Sequence, residues 1–350
     1  MRACVRACVR AGALLFGITL VKASDEAAKY PAMNVELIIP FPAGGTTDVI
    51  ARLVAQTVSE KWGRPVIVTN KAGATGAIAS EYVARAKPDG YTLLVATAST
   101  HAVLPAYRSD LRYDTVTSFT PATLLATFPN MLVVNPNIPA NTVQELIDLL
   151  KKNPGKLNFA SSGVGGSGHF GGELFKLMTK TDMRHVPYRG SAPALNDLIA
   201  GNVELTIDNM STVWPQVKQG TLRALGVASL TRTPLAPDVP AIAETVPGFE
   251  VTSWIGVVAP AGTPAAIVEK ISKDFAEAVS QPKIVKQLEE FGATSVTDSP
   301  AEFAAFIRAD REKWKKVAAA STYNRGIARR SSTEDRKRDK APERKQSEQG

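Results

Sequence analysis

The sequence predicts an α/β protein built of two units, each a parallel sheet with crossover helices, with a ligand cleft where the units meet. Three observations carry this. Strand-like and helix-like apolar patterns alternate along most of the chain. Four Gly- or Ser-rich turns each follow a strand pattern and precede a helix pattern. Two Pro-punctuated stretches, 129–139 and 247–260, part the first α/β run from the second, and the second from a closing helical stretch. If the second unit is inserted into the first, the chain crosses between them twice.

The elements follow in order. Residues 35–39 form a continuous apolar run, as in a strand buried on both faces. Val49, Ile50, Leu53, Val54 and Val58 recur at helical spacing. A strand at 66–68, a helix at 78–84 and a strand at 91–96 complete a βαβαβ unit. In the second unit, Thr142 and Glu145 have capping-box spacing before a helix that carries Val143, Leu146, Ile147 and Leu150 on one face. Strands at 157–160, 185–186, 205–208 and 224–228 alternate with helices at 172–179 and 192–200. The closing stretch has a strand at 254–259 and a helix carrying Ile267, Ile271, Phe275 and Ala278. A final helix is announced by Ser299, Pro300 and Glu302, and carries Phe303, Phe306, Ile307, Trp314 and Val317. Trp254 reads as a core residue.

The chain has 350 residues, 44% hydrophobic and 21% charged, with a formal net charge of +8. The charge sits at the ends. Residues 1–23 hold four basic residues and no acid, 321–350 hold nine basic and five acidic, and 24–320 are balanced at 28 of each. The body is therefore not a polyanion binder, and no nucleic-acid partner is expected. Residues 1–23 have the charged, apolar and small-residue regions of an export signal cleaved near Ala23. Both cysteines, Cys4 and Cys8, lie in that leader, so the mature body has no disulfide, thiolate metal site or cysteine nucleophile. The tail, 321–350, is too polar to bury a core and is expected to be disordered. No run of 18 apolar residues occurs, which argues against a membrane span.

The chemistry lies in the four turns, at 40–48, 70–76, 97–101 and 161–169. A helix N-terminus offers free N–H groups and the positive end of its dipole, and small residues let a ligand reach the backbone. Several such ends at one cleft make an anion site without lysine or arginine. Asp48 reads either as a helix cap or as a group that orders its turn or meets a ligand ammonium. His101 and His169 stand at Ser/Gly-rich turns, as ligand hydrogen-bonders or as packing residues. Arg189 reads as a carboxylate clamp or as a surface residue. Asp208 ends an apolar strand and faces the cleft or the hinge. The three histidines are far apart in sequence and lack metal-ligand spacing, so neither a metal nor a cofactor is expected. No Gly-x-Ser-x-Gly elbow is present, so a hydrolase triad has no anchor. Gly163, Gly165 and Gly168 match the dinucleotide fingerprint, with Asp182 about twenty residues on. A nucleotide-dependent oxidoreductase is therefore the rival reading, weighed against the export leader and the lack of an acid–base pair.

The segments 39–48, 70–76, 89–93, 161–169, 186–194, 237–240 and 247–250 together resemble the Bug-type solute receptors of tripartite tricarboxylate transporters, over about 34–320. That resemblance implies a type II periplasmic-binding-protein fold, with two lobes, two crossover strands and a cleft. Lobe 1 is expected at 34–131 and 252–320, and lobe 2 at 132–251. It implies a monomeric, non-enzymatic periplasmic receptor that closes on a small carboxylate (a di- or tricarboxylate, or an acidic amino acid) and delivers it to a membrane permease. A sensor-partner receptor of the same fold is a further alternative. Carried onto this chain, the contacts fall at Phe41, Gly44, Gly45, Thr46, Asp48, Ala74, Ser99 and His101 from lobe 1. From lobe 2 they fall at Ser162, Gly163, Ser167, His169, Arg189 and Asp208. The leader and the long polar tail depart from the family's pattern.

Overall fold

The structure is a computed structural model, and it describes residues 29–320. The expected leader and tail lie outside the described residues. The first unit runs β1 (Val35–Ile39), α1 (Thr46–Trp62), β2 (Val66–Asn70), α2 (Ala77–Ala84) and β3 (Thr92–Thr97). β1 pairs in parallel with both β2 and β3. Its alternation is buried on both sides. Val35, Leu37 and Ile39 pack with Ile50, Val54 and Val58 of α1, while Ile38 joins the cluster on the opposite face.

After β3 comes a turn of π-helix at Ser99–Val103, continued by the short α3 (Leu104–Tyr107). Then β4 (Phe119–Val134) runs for 16 residues. The second unit follows: α4 (Val143–Lys152), β5 (Asn158–Ser161), α5 (Ser167–Thr179), β6 (Arg184–Pro187), α6 (Ser191–Ala200), β7 (Leu205–Asn209), α7 (Met210–Lys218) and β8 (Arg223–Val227). The chain returns through β9 (Thr252–Pro260), α8 (Ala265–Val279), α9 (Pro282–Glu290), the two-residue β10 (Thr294–Ser295) and α10 (Pro300–Ala320).

The strands join in the order β2-β1-β3-β9-β4-β7-β5-β6, with β8 and β10 also pairing β4. The sheets are mixed rather than purely parallel, because β9 is antiparallel to both β3 and β4. The segment 129–139, expected to be a connector, belongs in its first part to β4. Pro129 is the last residue of β4 opposite β9, and from Asn130 the strand pairs β7. Pro121 lies at a register shift. A proline lacks a ladder donor, so it is tolerated at such changes of partner and irregularities. Met131 and Val133 face one core cluster while Leu132 and Val134 face another.

Three chain segments meet at the junction. Asn130 N–H donates to the Val251 carbonyl (3.1 Å), Val251 N–H to that of Ala228 (2.7 Å), and Ala228 N–H to that of Asn130 (2.7 Å). The helix-start signals are visible as hydrogen bonds. Thr142 Oγ1 accepts from Glu145 N–H, and the Glu145 carboxylate reaches Asn141 N–H, one residue before the cap. Ser299 and Glu302 close a reciprocal box.

Candidate functional site

The C-terminal ends of β1, β2 and β3 on one side, and of β5 on the other, carry the expected turns. The first helical bond of α1 runs from Val49 N–H to Gly45 O, so the amides of Thr46, Thr47 and Asp48 have no intrahelical acceptor. In α5 the corresponding bond is Phe170 N–H to Gly166 O, and the amides of Ser167 and Gly168 stand the same way. α5 is pressed hard onto its sheet. A Cβ on Gly168 would lie 2.5 Å from the Ile207 carbonyl oxygen, so only glycine lets the helix start so close to β7.

Asp48 builds the first turn from within. Its carboxylate is buried and accepts from Gly44 N–H (2.9 Å), Arg52 Nε (3.0 Å) and Asn70 Nδ2 (2.8 Å). Burial opposes its ionisation. The bonds from Arg52, Gly44 and Asn70 outweigh that and hold the carboxyl below the usual carboxylate range. Asn70 Nδ2 also donates to Phe41 O (3.0 Å), which ties both ends of the 41–48 turn to β2. Asp48 thus orders its turn, and its charge is spent on internal partners. Phe41, Thr46, Ser99, Ser162 and Gly163 are half-buried, and Gly44, Gly45 and Ala74 are exposed.

The histidines lie in the walls. His101 is fully buried between Phe119 and Tyr113, with Nδ1 2.9 Å from Thr100 Oγ1. His169 is fully buried and stacked on His185 (centroids 3.9 Å), and its Nδ1 accepts from Gly165 N–H at 3.1 Å. That nitrogen therefore carries no proton, and the ring pins the glycine turn from beneath. Ser167 Oγ lies 3.0 Å from Ser253 Oγ, which also bonds Asn130 Oδ1 (2.9 Å) at the junction. Asp208 is buried at the end of β7. Burial pushes its carboxyl up, against bonds from Asn209 N–H and Ser191. Arg189 is exposed at the turn after β6.

The two sides touch directly. Thr46 Oγ1 lies 2.7 Å from Ser211 Oγ at the start of α7. Thr75 Oγ1 and Tyr107 Oη both reach the Val164 carbonyl. Beside them a cavity of about 460 Å³ is lined by Ala74, Thr75, Tyr107, Arg108, Ser109, Asp110 and Val164. Of the expected contacts it includes only Ala74, so it flanks the two helix ends rather than lying between them.

Tyr107, Ser211, Asn130 and Ser253 carry no signal in the sequence. The first two stand on helices without a clear apolar period, and the others at the junction that reads as connectors. Thr75 lies in a turn that was recognised. The dinucleotide geometry fails in one respect: Asp182 precedes β6, at the sheet edge opposite the glycine turn, and it approaches Lys176 instead. Among the described residues no group of three His, Cys, Asp or Glu could hold a metal ion, and no helix is long and apolar enough to cross a membrane.

Two α/β lobes joined through shared long strands, with helix ends facing across the join, define a solute-binding receptor of the periplasmic-binding-protein fold. The chain belongs to the tripartite tricarboxylate transporter receptor family, whose family model matches residues 50–322. It is similar to the solved structure of R. palustris Rpa4515 with adipate, at 39% identity and a TM-score of 0.79, covering 83% of this chain and 98% of that one. It is also similar to MatC from Rhodopseudomonas palustris with bound malate (32%, TM-score 0.77, 83% and 100% covered). The periplasmic binding protein BugD is a third (33%, TM-score 0.76, 83% and 99% covered). The family is periplasmic and consists of solute-binding receptors rather than enzymes.

Proposed function

We propose that this chain captures a small dicarboxylate by closing its two lobes, 34–131 with 252–320 against 132–251, and delivers it to the membrane subunits of a tripartite transporter. The observation that carries this reading is the pair of helix N-termini, α1 and α5, at facing strand ends. Each opens with amides that have no intrahelical acceptor, and the nearby Arg52 is already committed to Asp48. The adipate- and malate-bound relatives support a dicarboxylate. The binding residues are those of the turns: Phe41, Gly44, Gly45, Thr46, Ala74 and Ser99 from one lobe, and Ser162, Gly163 and Ser167 from the other. Arg189 and Asp208 stand at the rim and floor, and Asp48, His101 and His169 shape the walls. The ligand gains contacts to both lobes only when they are closed, so binding shifts the population toward the closed form with no chemical change. Export through a leader cleaved near Ala23, and action as a monomer, complete the reading.

A thermal-shift panel tests it. Adipate, malate, succinate, citrate, aspartate and glutamate are compared with NAD(H). At a hundredfold excess over Kd, a cognate carboxylate is expected to raise Tm by about 5 °C. Stabilisation by NAD(H) alone would sink the receptor reading. Asn70→Ala cuts the tie between Phe41 O and the Asp48 carboxylate. It is expected to weaken the stabilising carboxylate about tenfold in calorimetry, while far-UV circular dichroism stays unchanged.

A further inference from the structure

We propose that Thr75 and Tyr107 are positioning residues that latch the 161–167 turn shut from the opposite lobe, through the single carbonyl of Val164. This rests on the receptor reading for its consequence in ligand binding, but not for its geometry. Thr75 Oγ1 donates to Val164 O at 2.8 Å and Tyr107 Oη donates to the same oxygen at 2.9 Å. A carbonyl has two lone pairs, and both are taken by hydroxyls from the far side of the cleft.

The fit around that oxygen is close. Gly165, at φ +83°, has no side chain, and a Cβ there would lie 1.5 Å from Tyr107 Oη. The tyrosine hydroxyl occupies the space that any other residue would fill. The Tyr107 ring also packs on Phe170 in the first turn of α5 (centroids 5.2 Å, 33° between planes). A Cβ on Gly163, on the other side of Val164, would meet Thr75 Oγ1 at 3.7 Å.

The segment that presents Thr75 is itself unusual. Gly73, Ala74, Thr75 and Gly76 have φ of +135°, +49°, +55° and +90°, four residues of positive φ in succession. A β-branched residue in that region is strained, and such strain persists only where the surroundings impose it. Here they do: a Cβ on Gly76 would strike Thr100 Cγ2 (2.4 Å) and Pro40 Cβ (2.9 Å). The turn after β2 is thus seated on the turns after β1 and β3, and it holds the Thr75 hydroxyl out toward Val164.

The pull does not stop at Val164. Gly165 N–H is tied to His169 Nδ1 and Gly166 N–H to Gly163 O, so the latched oxygen belongs to a turn knitted to the N-terminus of α5. Both donors are on one lobe and the acceptor is on the other, so the two bonds exist only in the closed form. They stabilise closure whichever ligand is inside, and they act on how long it stays there. Loss of the two hydroxyls leaves in place the apolar cluster that runs through both lobes.

The experiment uses the full chain with Tyr107→Phe, Thr75→Val and Thr75→Ser, the serine retaining the hydroxyl. Hydrogen-exchange mass spectrometry follows a peptide covering 161–170 and a core peptide covering 252–260. The 161–170 peptide is expected to exchange about tenfold faster in Tyr107→Phe and Thr75→Val, near the parent rate in Thr75→Ser, with the core peptide unchanged. Unchanged exchange at 161–170, or equal acceleration in both peptides, overturns the latch. Adipate and malate are then used as kinetic probes. Their dissociation rate is expected to rise about tenfold in the phenylalanine and valine variants, with association changed less than twofold. An effect confined to association overturns the latch. Failure of every carboxylate to bind the parent overturns the receptor reading alone, since the exchange result decides the latch without any ligand.

Discussion

Replacing Trp254 by alanine is expected to lower the unfolding free energy by about 3–5 kcal/mol. Trp254 is 1% exposed, two residues past the start of β9. Its ring meets Phe303 and Phe306 of α10 edge-on, with centroids at 5.6 and 5.5 Å. Its Nε1–H donates to Asp310 Oδ2 at 2.7 Å. Alanine removes the ring contacts, leaves a cavity under α10 and strips a donor from a half-buried carboxylate, and the three losses reinforce one another. Trp254→Phe restores most of the packing but not the bond, so its loss is expected to be about 1–2 kcal/mol. Urea denaturation of the three proteins checks both values. A cost under about 1 kcal/mol for alanine would refute the core role of this residue.

The second large effect is acid sensitivity from the histidines. Burial pushes His101 down to about 3. Burial, with the charges of His185 and Lys176, pushes His169 to about 2. Burial and Lys176 push His185 to about 4. The unfolded chain takes up protons near pH 6.5, which the folded chain refuses until far lower pH. The stability these rings contribute is therefore complete above about pH 6.5 and is lost progressively as pH falls toward the folded values. With all three, the slope approaches about 4 kcal/mol per pH unit near pH 5. Asp208 and Asp310 work the other way. Burial raises their carboxyls, so the native state protonates them first and recovers part of the loss. The isolating measurement is the slope difference between the parent and His101→Phe. His101 meets the Thr100 hydroxyl and the rings of Tyr113 and Phe119, so its removal is expected to flatten the slope by about 1.4 kcal/mol per pH unit between pH 5.5 and 4. Parallel curves would mean that His101 is protonated in the folded protein.

Local order was readable where one segment decides it. The βαβαβ start, the boxes at Thr142 and Ser299 and the four turns all rest on short-range rules of period and capping, and the structure shows each of them. β4 was hidden because Pro121 and Pro129 signal breaks, and only its partners show that these prolines fall where the ladder is irregular or changes hands. α7 was hidden by Pro215 inside it, and α3 by its brevity. At the candidate site the turns were legible, but not the traffic across the cleft. That Thr75 and Tyr107 share one oxygen 89 and 57 residues away is a fact of tertiary placement, with no periodic trace in the chain. His101 and His169 were legible as members of the turns. Their place in the walls follows from rings such as Phe119 and His185, which the sequence does not bring near.

The ring of main-chain bonds among Asn130, Val251 and Ala228 has a mechanical consequence. Peptide groups offer nothing to protonate and little that a substitution can remove, so this pivot is insulated from pH and from most mutations. β4 is keyed into different cores on its two faces, and sliding by one residue would drive each buried side chain into the opposite core. Shear is thereby blocked and bending is left. If the lobes close as proposed, the joint bends rather than slides, with its stiffness in the backbone and its ligand preference free to vary at the turns.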